Sequence, residues 1–185
     1  MIQTLNKESI NKIELGQLSK EINEPEFKNY FLGEPGEEHY KLLGYISSNT
    51  NDSILLDIGT YKGCSALALS INLTNTVKSF DVRSGLVNIN NVPSNIEFIL
   101  DDITNGNYKE LILSSNFIIL DTDHDGSFEQ VFYSYIKSIN WKGSLLIDDI
   151  KLNDPMSVFW DTIIEEKYDI SHIGHHSGTG LVIFK

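Results

Sequence analysis

The stretch LLDIGTYKGCSAL (residues 55–67) decides how this chain folds. It opens as an almost unbroken apolar run, turns at a glycine, and continues as small apolar residues at helical spacing. A short apolar run ending in Asp and Gly reads as a strand buried on both faces. Gly59 and Gly63 make the turn G-x-x-x-G, whereas nicotinamide-dinucleotide enzymes carry G-x-G-x-x-G. The missing glycine falls at Asp57, where a carboxylate would repel a pyrophosphate. A cationic or zwitterionic ligand suits such a turn better, with Gly59 and Gly63 letting the backbone approach it closely.

Outward from this turn the alternation continues. GCSALALSINL (63–73) reads as the helix that follows, and SFEQVFYSYIKSIN and PMSVFWDTIIEE read as helices over about 127–140 and 155–166. VKSFDV, IEFILDD, NFIILD, GSLLIDD, YDISHI and GLVIFK read as further strands. Strands alternating with helices predict an α/β fold, a doubly wound and mostly parallel sheet with helices on both faces. Only GHHSGT separates the last two strands, near 168–173 and 180–184, which is too short for a parallel crossover, so these run antiparallel. Upstream, GEPGEEHYKLLGYISSNT reads as a helix with Pro35 and acids at its start and Tyr40, Leu42, Leu43 and Ile46 on one stripe. Residues 1 to about 32 are polar and carry short helices. The chain reads as one domain, 1–185, with a helical segment over 1–50 and a Rossmann-like core over 51–185.

Hydrophobic residues make up 41% of the 185 and charged residues 22%, the balance of a globular domain. The net charge of −12 argues against nucleic acid and against an anionic membrane surface as partners, since both draw on clustered Lys and Arg. No apolar run is long enough to span a bilayer, and the polar amino terminus has no signal core. One cysteine allows no disulfide framework, so a reducing, cytoplasmic location is the expectation.

The strand candidates share one regularity: they end in acids, at Asp57, Asp81, Asp101 with Asp102, Asp121, and Asp148 with Asp149. In an open parallel sheet the carboxyl ends of the strands form the ligand-binding edge. Asp81 ends the strand after the glycine turn, where an acid accepts hydrogen bonds from two ribose hydroxyls. Asp102 follows the next strand and is placed to accept from an adenine amino group.

In this order of motifs the chain resembles the class I S-adenosyl-L-methionine (SAM)-dependent methyltransferases, in particular the small-molecule O-methyltransferases of the catechol and caffeoyl-CoA type. There a P-E-x-G-x-x-L helix precedes an E-I-G-x-x-x-G-x-S turn; here EPGEEHYKLLGYI precedes DIGTYKGCSAL, and the likeness runs over about residues 33–150. The resemblance implies a seven-stranded sheet with an antiparallel last strand. It also implies a SAM pocket formed by Asp57, Gly59, Tyr61 and Gly63, with Ser65 near the methionine carboxylate, Asp81 on the ribose and Asp102 on the adenine side. Cys64 reads as a small packing residue, because no histidine adjoins it.

LDTDHDGSF (120–128) looks like the opening of a calcium loop, but an EF-hand beginning at Asp121 needs a bidentate Glu where Phe132 stands, and a helix where NFIIL stands. In the metal-dependent relatives the matching segments are D-A-D-K and D-N. By that resemblance Asp121, Asp148 and Asp149 are carboxylates for magnesium or calcium, with Asp149 in place of Asn and His124 in place of the catalytic Lys. The other alternative is a metal-free enzyme in which His124 is the base and Asp121 orients it, since histidine suits base chemistry near neutral pH. His175 and His176, in the loop between the last strands, reach the same edge and face the substrate. LNDPMSVFW (152–160) is placed to cover an acceptor pocket, whereas Trp141 and Trp160 read as packing or rim residues.

The expected function is methyl transfer from SAM to a hydroxyl of a small-molecule or sugar-like acceptor. Two rivals stay open: a SAM- or nucleotide-binding module without transfer, and a divalent-metal hydrolase built on the aspartates. The short link from Asp81 to Ile96 leaves room for an open pocket or one completed by a second subunit in a homodimer.

Overall fold

The computed structural model describes residues 5–84 and 88–185; the first four residues of the amino-terminal segment and residues 85–87 of the link after Asp81 lie outside them. The strands are β1 (Ile54–Ile58), β2 (Thr76–Asp81), β3 (Ile96–Leu100), β4 (Ser115–Leu120), β5 (Gly143–Asp148), β6 (Glu166–Asp169) and β7 (Thr179–Phe184). They form one seven-stranded sheet in the order β3-β2-β1-β4-β5-β7-β6. The first five pair in parallel, and β7 inserts antiparallel between β5 and β6. This is the doubly wound, Rossmann-like sheet with an antiparallel last strand that the sequence predicts.

The helices are α1 (Lys7–Asn11), α2 (Pro25–Leu32), α3 (Glu37–Ser48), α4 (Cys64–Leu69), α5 (Lys109–Ser114), α6 (Ser127–Ser138) and α7 (Asp154–Thr162). Side chains alternate across a strand, so each central strand feeds two cores. Leu55, Phe117, Ile119 and Leu181 pack on the face covered by α1, α3 and α4. Leu56, Phe80, Ile118 and Leu120 pack on the opposite face with Phe132, Ile136 and Phe159 of α6 and α7. Trp141 is buried there, its Nε1 donating to Ser115 O at 3.1 Å. Trp160 lies against Gly180, where a Cβ would come within 2.5 Å of its ring.

Three elements differ from the sequence reading. The helix after the glycine turn stops at Leu69 rather than running to residue 73, because Asn72 turns inward and its Nδ2 donates to Thr50 O at 2.7 Å. The sixth strand is Glu166–Asp169, not 168–173. Past it the chain turns on the bonds Ile173 N to Ile170 O (2.9 Å) and Gly174 N to Ile170 O (3.1 Å), which bury both isoleucines. Helix α5 was not expected; its KELILS runs straight into the apolar β4 and reads as one segment with it.

The glycine turn depends on close approach. Gly59 has φ +101°, and a Cβ on it would lie 1.7 Å from Asp121 O at the end of β4. Gly63, at φ +85°, starts α4, and a Cβ on it would lie 3.1 Å from the side chains of Ile89 and Phe98. Among the described residues no helix is long and apolar enough to cross a membrane.

Candidate functional site

Two cavities open along the carboxyl edge of the sheet, with Gly59, Tyr61 and Asp121 on the walls of both. The first, about 440 Å³, lies over the ends of β1 to β4 and is lined by Phe80, Asp81, Asp101, Asp102, Ile103 and Phe128, among others. The second, about 350 Å³, lies between that edge and the amino-terminal helices. Tyr30, His39, Tyr40, Asp148, Asp149 and His175 are among its walls.

In the first cavity the acids are held by backbone. Asp81 Oδ2 accepts from Tyr61 N at 2.9 Å and its Oδ1 from Arg83 N at 2.8 Å. Asp102 Oδ1 accepts from the backbone N (2.8 Å) and hydroxyl (2.7 Å) of Thr104. Arg83, at the mouth, makes a bidentate pair with Asp123 at 2.6 and 2.7 Å.

Where the two cavities meet, the acids face imidazoles: His124 on the wall of the first, His39 and His175 on the wall of the second. Asp121 Oδ1 lies 3.2 Å from His124 Nε2, and the same nitrogen is 3.5 Å from Asp149 Oδ2. Burial works to lower the His124 pKa, but Asp121 and then Asp149 and Asp148 outweigh it and raise it to about 9. Burial, with Asp148 nearby, raises the pKa of Asp121 itself. Asp149 Oδ1 accepts from Ser177 Oγ and lies 3.2 Å from His175 Nδ1. Burial opposes ionisation of Asp149, yet these two partners hold its pKa below the usual carboxylate value. His175 Nε2 reaches Pro35 O at 3.1 Å, tying the β6–β7 loop to the segment that enters α3. His176 is exposed on the wall of the same cavity.

The backbone around these groups is unusual. Tyr61, His124 and Asp149 have φ of +42°, +55° and +60°, a region that non-glycine residues rarely adopt and that recurs at functional sites. The loop carrying His124 is braced from below by Glu129, a buried acid on α6 whose Oε1 accepts from Thr122 Oγ1 (2.6 Å) and His124 N (3.2 Å). Asn153 Nδ2 donates to His124 O at 2.8 Å while its Oδ1 caps α7 at Met156 N.

The three aspartates of LDTDHDGSF therefore have separate roles. Asp121 faces the cavities, Asp123 pairs with Arg83, and Asp125 Oδ1 accepts from Ser127 N at 2.8 Å at the start of α6. Asp81, Asp102, Tyr61, Gly59, Ser65, Asp121, His124, Asp148, Asp149, His175 and His176 all line one cavity or both.

Two residues assigned to a SAM pocket from sequence line neither cavity. Gly63 faces the Ile89 and Phe98 side chains instead. Asp57, 0% exposed, sits beneath the turn, where Ser79 Oγ donates to its Oδ2 at 2.6 Å. Burial raises its pKa to about 7, against the opposing bonds from Ser79 and Ser65. Residues 152–160 line neither cavity; Pro155 packs against Gly126 instead. Cys64 is buried and its thiol is pushed up to about 12 by that burial, which suits packing and not nucleophilic chemistry.

His39 was absent from the sequence reading. It lies in the first turns of α3, 4% exposed, with Nδ1 3.5 Å from Asp148 Oδ1 and Nε2 4.0 Å from Asp121 Oδ2. Its burial favours the neutral form, but Asp148 foremost, then Asp121 and Asp149, raise its pKa to about 9.

No protein family's sequence profile matches this chain, and no curated protein matches it by sequence. Solved structures match it by fold. A methyltransferase from Podospora anserina with S-adenosylhomocysteine (SAH) bound has a TM-score of 0.64 at 13% identity, over 98% of this chain and 97% of that one. A protein from Corynebacterium glutamicum has a TM-score of 0.65 at 13% identity, over 99% and 96%. The O-methyltransferase from Bacillus cereus in complex with SAH gives 0.54 at 14% identity, over 100% and 94%. The chain has the Rossmann-like fold of SAM-dependent methyltransferases.

Proposed function

We propose that this protein transfers a methyl group from SAM to a hydroxyl of a small-molecule acceptor. The observation that carries the reading is the placement of Asp121 with His124. The pair sits where a nucleoside-sized cavity meets a second cavity floored by acids and imidazoles. SAM supplies an electrophilic sulfonium methyl, so what is left to the protein is orientation and removal of the acceptor proton.

Asp81 keeps lone pairs on both oxygens beyond the backbone N–H groups it accepts, and these suit two ribose hydroxyls. Asp102 stands on the adenine side, and Gly59 and Tyr61 form the ridge between the cavities. His124, its ring oriented with Nε2 3.2 Å from Asp121 Oδ1, takes the acceptor proton at that nitrogen, and Asp121 stabilises the imidazolium that results. The strained backbone at His124, held by Glu129 and Asn153, presets that orientation. His175 and His176 border the acceptor side.

The floor also suits a divalent cation. His39 Nδ1 and Nε2 and Asp148 Oδ1 are buried without a hydrogen-bond partner among the described residues. A cation held there by carboxylates would lower the pKa of an acceptor hydroxyl.

Calorimetry with SAM and SAH tests the reading first: micromolar binding is expected, and absence of binding to either overturns it. Transfer of label from SAM to a panel of hydroxylated acceptors then separates an enzyme from a binding module. The acidic surface, net −12, supports a small acceptor over nucleic acid.

A further inference from the structure

The floor of the second cavity contains two kinds of acid. Asp149 is satisfied: its Oδ1 accepts from Ser177 and adjoins His175, and its Oδ2 faces His124. Asp148 and His39 are not. Asp148 Oδ1 and both ring nitrogens of His39 are buried with no hydrogen-bond partner among the described residues, and His39 is 4% exposed. Burying a ring whose two nitrogens reach no acceptor at hydrogen-bond distance is costly, and acids 3.5 and 4.0 Å away offset that cost only in part.

The separations indicate what offsets the rest. Nδ1 of His39 lies 3.5 Å from Asp148 Oδ1, and Nε2 lies 4.0 Å from Asp121 Oδ2. One donor atom from each of His39, Asp121 and Asp148 lies within 4.8 Å of the others. Both gaps exceed a good hydrogen bond. A cation takes one ring nitrogen, and the mutual spread within 4.8 Å is one that small side-chain shifts close onto a single ion at bonds of about 2.0–2.2 Å.

We propose that His39, Asp121 and Asp148 form a site for a divalent transition-metal cation, with Asp149 outside the ligand set. The set differs from the three carboxylates that the resemblance implies, because an imidazole nitrogen replaces one oxygen. Magnesium and calcium take oxygen donors, whereas one imidazole with two carboxylates suits Mn²⁺, Fe²⁺, Co²⁺ or Zn²⁺. Asp121 serves both neighbours, directing Oδ1 to His124 and Oδ2 to His39. All three ligands line the second cavity.

The assignment is read out without any methyl transfer. Mn²⁺ is titrated into the metal-stripped full chain by calorimetry, and the bound ion is then examined by electron spin-echo envelope modulation. One Mn²⁺ per chain is expected, with ¹⁴N modulation from a coordinated imidazole and with tighter binding than Mg²⁺. His39→Ala abolishes the modulation and weakens Mn²⁺ at least tenfold, and Asp148→Asn weakens it similarly. Asp149→Asn leaves the affinity within about threefold, and His124→Ala leaves the modulation in place. Circular dichroism checks that each variant is folded.

Failure of Mn²⁺ to bind overturns the proposal and makes His39 an imidazolium bridging two carboxylates. Binding without ¹⁴N modulation, or modulation that survives His39→Ala in a folded protein, also overturns it. SAH binding in the same samples is scored separately: SAH without Mn²⁺ removes only the metal site, and Mn²⁺ without SAH removes only the methyltransferase.

Discussion

The two cavities differ in how they treat the same residue type. Over β1 to β3 the aspartates accept backbone N–H groups or a neighbouring hydroxyl, and so become fixed acceptors for hydroxyl and amino groups. Over β4 and β5 they stand among His39, His124 and His175, where protons and cations can move. The partner decides the chemistry: a carboxylate with two N–H donors recognises, and a carboxylate beside an imidazole tunes a pKa.

Variants on the two sides should therefore fail in different ways. Asp121→Asn has the largest effect, lowering kcat by about 10³-fold while SAH affinity stays within a few-fold, because it removes both the carboxylate that supports His124 as base, an assistance worth ~10²–10⁴, and a ligand of the proposed cation. An equal loss of SAH binding would erase the distinction between the cavities. His124→Ala follows, at about 10²-fold in kcat. His124 must be neutral to accept a proton, and its pKa is raised to about 9. The rate in metal-free protein should therefore climb with pH up to about 9, and His124→Ala should flatten that climb. By the same sign, the stabilisation from the protonated His124–Asp121 pair is complete below the ordinary histidine pKa and is lost as pH rises through about 9.

On the other side, Asp81→Ala removes two charge-assisted bonds worth ~1.5–3 kcal/mol each, so SAH affinity should fall by about 100-fold or more in calorimetry. At saturating SAM its kcat should change little. The smallest effect concerns Asp57, under the turn. Its folded pKa is raised to about 7, so the protonated form is favoured by folding and the contribution is lost as pH rises through 7. Asp57→Asn should raise Tm by a few degrees at pH 8, by less at pH 5 and by almost nothing below the unfolded value of 3.8. A gain that does not grow with pH would show that Asp57 folds charged.

The sheet was legible because its central strands are buried on both faces and read as unbroken apolar runs, from SILLDIG to GSLLIDD. The same property hid α5, whose apolar residues merge with those of β4. The rim acids were legible as strand ends, since Asp81 and Asp148 close their strands and Asp121 directly follows β4. Asp57 misled, because it precedes the end of β1 by one residue and alternation turns it into the core. His39, Glu129 and Asn153 carried no local signal. Each looks like an ordinary helix or cap residue, and only the packing of α3, α6 and α7 on the sheet gives it a partner.

The bond from His175 Nε2 to Pro35 O spans 140 positions of the chain, and β7, which follows that loop, is laid between two strands made before it. Contacts this far apart are late events in folding, since the closure entropy of a long loop precedes any gain from it. The first cavity is lined by the ends of β1 to β4 and the segments that follow them, whereas the second draws on the segment entering α3 and on the β6–β7 loop. On the proposed reading the shelf for the cofactor is thus built from neighbouring stretches of chain, and the floor of the chemistry from its two ends.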